Sequence, residues 1–125
     1  MMKVLRQHHI SFKNAFAGLV WSLKTQPNFR VHIACSLAVI FLGLYLSITS
    51  GEMAIILFAI LLGLSAEMIN TALESMTDLI TTEWKEQAKI AKDVAAGMML
   101  LVATGAVLIA ICIFGPYLRL RFGIV

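Results

Sequence analysis

Residues 53–78 read MAIILFAILLGLSAEMINTALESMTD, and the change of character at residue 67 decides the fold. From Met53 to Ala66 the chain is almost continuously apolar, without the alternation of a half-buried strand. Glu67 and Asn70 then interrupt the run before it is long enough to cross a bilayer on apolar residues alone. A helix here must therefore carry polar side chains into the membrane edge. No strong helix breaker lies between Met53 and Ile80, since a single Gly63 is tolerated, so one helix is expected through Asp78, with its span at about 53–70.

Two further apolar blocks flank this one. Residues 31–48, VHIACSLAVIFLGLYLSI, are just long enough for a first span, with Arg30 at its entrance. Residues 94–115 hold no charged side chain and form a third span, with Pro116 and Tyr117 at its far interface. A short turn, Thr49-Ser50-Gly51-Glu52, joins the first two spans. With 60% apolar and 14% charged residues, the chain cannot hide its hydrophobic excess in one water-soluble core of this size. The expectation is an all-α polytopic membrane protein forming a single domain over residues 1–125, without repeats or linkers.

Ahead of the first span, residues 1–11 are polar and basic and are expected to be mobile or to lie on lipid headgroups. In residues 12–25, Phe12, Phe16, Leu19 and Leu23 recur at helical spacing with Trp21 beside them, while Lys13 and Lys24 lie off that face. An amphipathic surface helix follows from that pattern. Pro27 restricts Gln26 to an extended conformation and ends or redirects this helix. Residues 81–93, TTEWKEQAKIAKD, are mixed in charge, carry the interfacial Trp84, and predict a second surface helix.

The net charge of +3 is carried largely by the N-terminal segment ahead of the first span, and basic residues beside a span more often set topology than bind nucleic acid. Five Lys and Arg precede the first span (Lys3, Arg6, Lys13, Lys24, Arg30), and three (Lys85, Lys89, Lys92) separate the second from the third. Arg119 and Arg121 alone follow the third. The positive-inside rule then places the N-terminus and residues 79–93 in the cytoplasm, with the turn near Gly51 and the C-terminus outside. No cleavable signal is expected ahead of the first span, and Cys35 and Cys112 sit in apolar blocks as small hydrophobes without metal-ligand spacing.

Glu67, Asn70, Glu74 and Asp78 lie three, four and four residues apart, within an arc of roughly 80° on one helix face. For Asp78, pairing with a basic side chain or plain solvation is as good a reading as function. Glu67 differs, because an ionised carboxylate after that apolar run needs a partner, a cation or a wet pocket, and it is placed to take a proton from a hydroxyl presented from lipid. Glu74, two turns further on, could meet nucleotide phosphates through a divalent cation, with Asn70 orienting either carboxylate. Lys92 and Asp93 at the mouth of the third span could meet phosphate and metal, although such a pair is more commonly a solvated anchor.

The string Glu67-Met-Ile-Asn70-Thr-Ala-Leu-Glu74-Ser-Met-Thr-Asp78, followed by Ala91-Lys92-Asp93, resembles the signature of the bacterial integral-membrane diacylglycerol kinase and undecaprenol kinase family. The resemblance extends to Asn28-Phe29-Arg30-Val31-His32, to the surface helix and to the order of spans. It implies transfer of the γ-phosphoryl group of ATP, with magnesium, to a lipid hydroxyl by a homotrimer in the bacterial inner membrane, its sites shared between subunits. One chain also has few helices with which to enclose both substrates, and Glu67 is expected to need burial against a neighbour.

Carried onto matching positions, the resemblance makes Glu67 the general base and Glu74 a metal ligand. It makes Asn70, Glu74, Glu83, Lys85, Lys92, Asp93 and Gln26 the nucleotide site, and Trp21, Asn28 and Arg30, with Glu67, the lipid site. One position departs from the pattern: where the family usually has a second metal-binding glutamate, this chain has Gln26, whose neutral amide oxygen would hold magnesium more weakly. The basic N-terminal segment and residues 28–32 look more like the undecaprenol kinases, which favours undecaprenol over diacylglycerol as acceptor. The rival reading from another class is a small proton-coupled exporter that uses Glu67 as its relay, in which Lys92 and Asp93 would be dispensable. A third is a membrane subunit without catalysis.

Overall fold

The computed structural model describes residues 2–123, with side chains from residue 10. It contains four helices in chain order: α1 (Met2–Thr25), α2 (Pro27–Tyr45), α3 (Ser50–Ile80) and α4 (Glu86–Phe122). Every described element is an α-helix, and α2, α3 and α4 are each long and apolar enough to cross a membrane. The chain is an all-α polytopic membrane protein.

The corner between α1 and α2 forms for the reason its sequence suggests. Pro27 occupies the first turn of α2, where a missing N–H leaves no bond unmade, and Gln26 before it is extended at φ −98°, ψ 109°. The last turn of α1 closes with the Gln26 amide donating to the Ser22 carbonyl at 2.9 Å and the Thr25 hydroxyl donating to the Trp21 carbonyl at 2.8 Å. Ser22 and Phe29 are both buried in the bend. Upstream, α1 begins at Met2 rather than near Phe12, so residues 2–11 extend the surface helix instead of preceding it as a mobile segment.

At its other end α2 stops at Tyr45, three residues earlier than the apolar block suggests. Ser47 adopts a left-handed conformation, φ 55°, and turns the chain back. Its amide donates to the Leu44 carbonyl at 3.2 Å, while the Ile48 amide donates to the Gly43 carbonyl at 3.1 Å. These two bonds are the pattern by which a left-handed residue satisfies the last carbonyls of a helix. The connection is thus residues 46–49, and Gly51 and Glu52 already belong to α3 rather than to the turn. Thr49 caps α3, its hydroxyl accepting from the Glu52 amide while the Glu52 carboxylate accepts from the Thr49 amide.

A third difference lies at residues 81–93. No separate surface helix forms there: residues 81–85 are non-helical, and Glu86–Asp93 are the first turns of α4. Between Glu86 and Val94 there is no residue that breaks a helix, so the polar turns run straight into the apolar span. Pro116, expected at the far interface, sits inside α4, which continues to Phe122.

Helices α3 and α4 make the most extensive interface, followed by α2 with α3, whereas α1 packs lightly on α2. Two polar contacts fix α3 and α4 as antiparallel. Lys92 pairs with Asp78 beside the connecting loop, and the Tyr117 hydroxyl donates to the Glu52 carboxylate at 2.7 Å at the other end. The core is small: Ile56, Ile113 and Phe114 are buried, with Val39, Leu42, Ile48, Ile60 and Ile109 packed on them. Many large apolar side chains remain on the outside, Phe41, Phe58 and Leu101 among them, as befits a bundle whose solvent is lipid or a neighbouring bundle.

Candidate active site

Helix α3 changes environment along its length. From Glu52 to Glu67 the axis rises about 22 Å, which puts Glu67 inside the far part of a hydrocarbon core about 30 Å thick if Glu52 marks one boundary. Glu74 lies about 10 Å further along and Asp78 about 6 Å beyond that, in the headgroup layer. Glu67 is 4% exposed, flanked by buried Ala66 and followed one turn later by buried Asn70 and Thr71. This burial comes from one chain alone, so a neighbour is not needed to enclose the carboxylate. Among the described residues Glu67 has no hydrogen-bond or ion-pair partner.

One turn on, Asn70 Nδ2 donates to Glu74 Oε1 at 3.0 Å. A carboxylate only accepts, so this contact fixes the amide orientation and turns Oδ1 the other way. That oxygen is buried and has no hydrogen-bond partner. Buried amide oxygens are almost always satisfied, and one left open beside a polar stripe is a place for a ligand's donor or a cation. Glu74 itself is exposed.

The second half of the predicted site gathers at the α3–α4 turn. Asp78, Glu83, Lys85, Lys92 and Asp93, with Thr77 and Trp84, line one open recess of about 440 Å³. Its charges are mutually engaged: Lys92 pairs with Asp78, Lys89 with Asp93 one turn back on α4, and Lys85 with Glu83 at 3.0 Å. All six side chains are substantially exposed, so solvent and a polyanion can compete for the lysines. For Asp78 the pairing reading is the one realised. Lys89 is a member that sequence reasoning passed over, although its four-residue spacing from Asp93 on a helix was there to be read. Thr71, buried one residue after Asn70, carried no such signal.

The remaining candidates lie elsewhere. Gln26 is half-buried at the α1–α2 corner, its Nε2 donating to Thr25 Oγ1 at 3.4 Å, while Trp21, Asn28 and Arg30 are exposed around it. Beside this corner Phe16, Leu19, Leu23, Phe29, Leu61 and Met68 line an apolar groove of about 410 Å³ between α1, α2 and α3. Within one chain, therefore, the site is in pieces. Glu67, Asn70 and Glu74 do not line the lysine recess, and the described residues hold no cluster of three His, Cys, Asp or Glu able to bind a metal unaided. Magnesium on a nucleotide needs only one or two protein carboxylates, the phosphates supplying other ligands. The exposed carboxylate of Glu74, held by Asn70, fits that requirement.

Comparison with known proteins agrees with this arrangement of helices and polar residues. A family model described as prokaryotic diacylglycerol kinase matches residues 13–114, from α1 to the buried Phe114 of α4. The chain is 40% identical over 108 residues to a diacylglycerol kinase of Synechocystis, covering 86% of this chain and 62% of the relative. It is 37% identical over 108 residues to an undecaprenol kinase of Bacillus subtilis, covering 86% of this chain and 88% of that protein. A diacylglycerol kinase of Haemophilus influenzae is 30% identical over 105 residues, 84% of this chain and 82% of the relative. The chain thus spans somewhat less than two thirds of the Synechocystis protein and most of the other two. Because the match takes in α1 from Lys13 onward, all of the Glu67–Asp78 face and the Lys92–Asp93 mouth of α4, the chain belongs to the prokaryotic diacylglycerol kinase family.

Proposed function

We propose that this protein is a lipid kinase that transfers the γ-phosphoryl group of ATP to a membrane-lipid hydroxyl, with Glu67 as general base. The observation that carries the proposal is Glu67 itself: a carboxylate 4% exposed, without a partner among the described residues, on the same helix face as the Asn70–Glu74 pair. In the reaction the lipid oxygen forms its new bond to the γ-phosphorus as the bond from that phosphorus to the bridging oxygen of ADP breaks. The hydroxyl proton passes to a Glu67 carboxylate oxygen. Such transfers need positioning and charge neutralisation more than covalent chemistry, so a sparse site suffices.

Glu74, held by Asn70, would take magnesium together with the nucleotide phosphates, and Gln26 would add a neutral oxygen. Bound there, the metal supplies charge neutralisation of the phosphates. Lys92, Lys85 and Lys89 in the recess would exchange their carboxylates for phosphate oxygens, with Asp93 and Glu83 completing the nucleotide site. The groove beside Trp21, Asn28 and Arg30 is apolar enough for a lipid chain. Since Glu67, Asn70 and Glu74 do not line the recess that Asp78 of the same helix face reaches, a symmetric homotrimer that brings these three residues of one subunit to the recess of the next is the assembly proposed. The N-terminus and the recess would face the cytoplasm, where ATP is, in the bacterial inner membrane.

The names of the relatives divide between two lipids, and the resemblance of the basic N-terminal segment and residues 28–32 to undecaprenol kinases is what favours undecaprenol. The deciding experiment is transfer from labelled ATP and magnesium to undecaprenol and, separately, to dioleoylglycerol in mixed micelles, with Glu67→Gln and Glu74→Gln as controls. Transfer that both substitutions abolish establishes the kinase, and the ratio between acceptors names the lipid. Absence of transfer to either lipid from well-folded protein overturns the proposal and makes proton-coupled export the next hypothesis to test.

A further inference from the structure

The opposite end of the bundle carries a polar cluster that phosphoryl transfer does not use. Along α4 the rise from Lys92 to Arg121 is about 43 Å, the full thickness of a bilayer with its headgroups. With Lys92 among the headgroups of one leaflet, Arg121 therefore reaches those of the other. There its guanidinium lies over the Tyr45 ring, 5.5 Å from the centroid, and one Nη2 donates to the Tyr45 hydroxyl at 3.5 Å. Tyr45, Ser47, Tyr117 and Arg121, with Leu46 and Leu120, line a recess of about 370 Å³.

Three independent features make this more than a basic residue at a helix end. A guanidinium held over an aromatic ring and bonded to its hydroxyl is partly fixed, so its remaining N–H groups can meet a planar, two-point acceptor with less loss of freedom. None of those groups has an acceptor among the described residues beyond Tyr45. The recess is also lined by exposed Ser47, whose hydroxyl has no partner among the described residues and can donate into it. Finally, the one carboxylate close by among the described residues is already engaged. Glu52 accepts from the Tyr117 hydroxyl and from the amide and hydroxyl of Thr49, and so it does not pair with Arg121.

We propose that this recess binds the phosphodiester headgroup of an anionic phospholipid in the leaflet opposite the Glu67 site, with Arg121 as anchor. Two negative phosphate oxygens meet the guanidinium edge, Ser47 offers a hydroxyl donor, and Leu46 and Leu120 meet the start of the acyl chains. A zwitterionic headgroup would bring its own cation against Arg121 and is disfavoured by charge. The site does not depend on the kinase reading, only on α4 crossing the bilayer.

The test is native mass spectrometry of the detergent-solubilised full chain titrated with dioleoylphosphatidylglycerol or dioleoylphosphatidylcholine. The unmodified protein should hold phosphatidylglycerol about tenfold more tightly, the loss expected when a bidentate charge-assisted contact is removed. Arg121→Gln should bring the two lipids level, and Arg121→Lys should do nearly the same, because ammonium keeps the charge but not the planar fork. Lys24→Gln, a basic residue removed at the other end of the bundle, should leave the preference intact. Unchanged preference in Arg121→Gln, full preference in Arg121→Lys, or displacement of the bound lipid by millimolar inorganic phosphate would each overturn the proposal.

Discussion

Glu67 and Gln26 are the two positions where a single side chain decides how the proposed chemistry works. If Glu67 takes the hydroxyl proton, Glu67→Gln keeps its size and burial but removes the basic oxygen. Transfer should then fall by about 10²- to 10⁴-fold, with helical content unchanged by circular dichroism and the protein at least as stable, since a buried unpaired carboxylate has been neutralised. Retained activity in that variant would remove Glu67 from the mechanism. Gln26→Glu tests the departure from the family pattern. A carboxylate in place of the amide should lower the magnesium concentration for half-maximal activity several-fold, whereas Gln26→Ala should raise it. The separate effect of a negative charge at the start of α2 is a small gain in stability, read by thermal unfolding and not by magnesium dependence. An identical magnesium response in all three proteins would mean that residue 26 is not a ligand.

At the scale of elements, the turn between α2 and α3 offers the cleanest stability prediction. Ser47 holds a conformation that costs a residue with a side chain about 1–2 kcal/mol, and no Cβ is needed for the two carbonyl-satisfying bonds it organises. Ser47→Gly should therefore stabilise the protein by about 1 kcal/mol, part of the relief being lost to the freer unfolded chain, as a rise in thermal midpoint in detergent. A fall would show that the Ser47 hydroxyl contributes more than its backbone takes away. The same turn shows where sequence reading runs out. Hydropathy carried the first span to Ile48, because Leu46 and Ile48 are as apolar as what precedes them, and only the backbone reveals that Ser47 reverses the chain. Pro27, by contrast, acts through local sterics, so the α1–α2 corner was legible to the residue. The surface helix expected at residues 81–93 failed for a related reason: a polar segment beside a span reads the same whether its helix lies on the membrane or simply continues out of it. The carboxylate stripe was legible because helical spacing is arithmetic. Burial of Glu67 within a single chain was not, since it depends on how α3 meets its neighbours.

For the whole molecule the question is whether one chain or several make an active site. Glu67, Asn70 and Glu74 lie on one face of α3, while Lys92, Asp93, Glu83 and Lys85 line a separate recess of the same chain. In a cyclic assembly each interface would join the stripe of one subunit to the recess of the next, and the two halves could be supplied by different variants. Glu67→Gln spoils only the stripe and Lys92→Gln only the recess, so each protein alone should be inactive. Unfolding the two in denaturant and refolding them together in equal amounts should restore activity to about a quarter of the unmodified level, because random assembly gives one interface in four both intact halves. Mixing the folded proteins without that step should restore none if the assembly is long-lived, which separates subunit exchange from simple addition of residual rates. If the co-refolded mixture stays as inactive as its parts, stripe and recess must meet within one chain. The ion pairs that now occupy Lys92 and Asp93 would then have to open and bring α4 towards Glu74 when nucleotide binds. Glu67→Gln with Glu74→Gln, both in the stripe, is the matched control and should not complement under either arrangement.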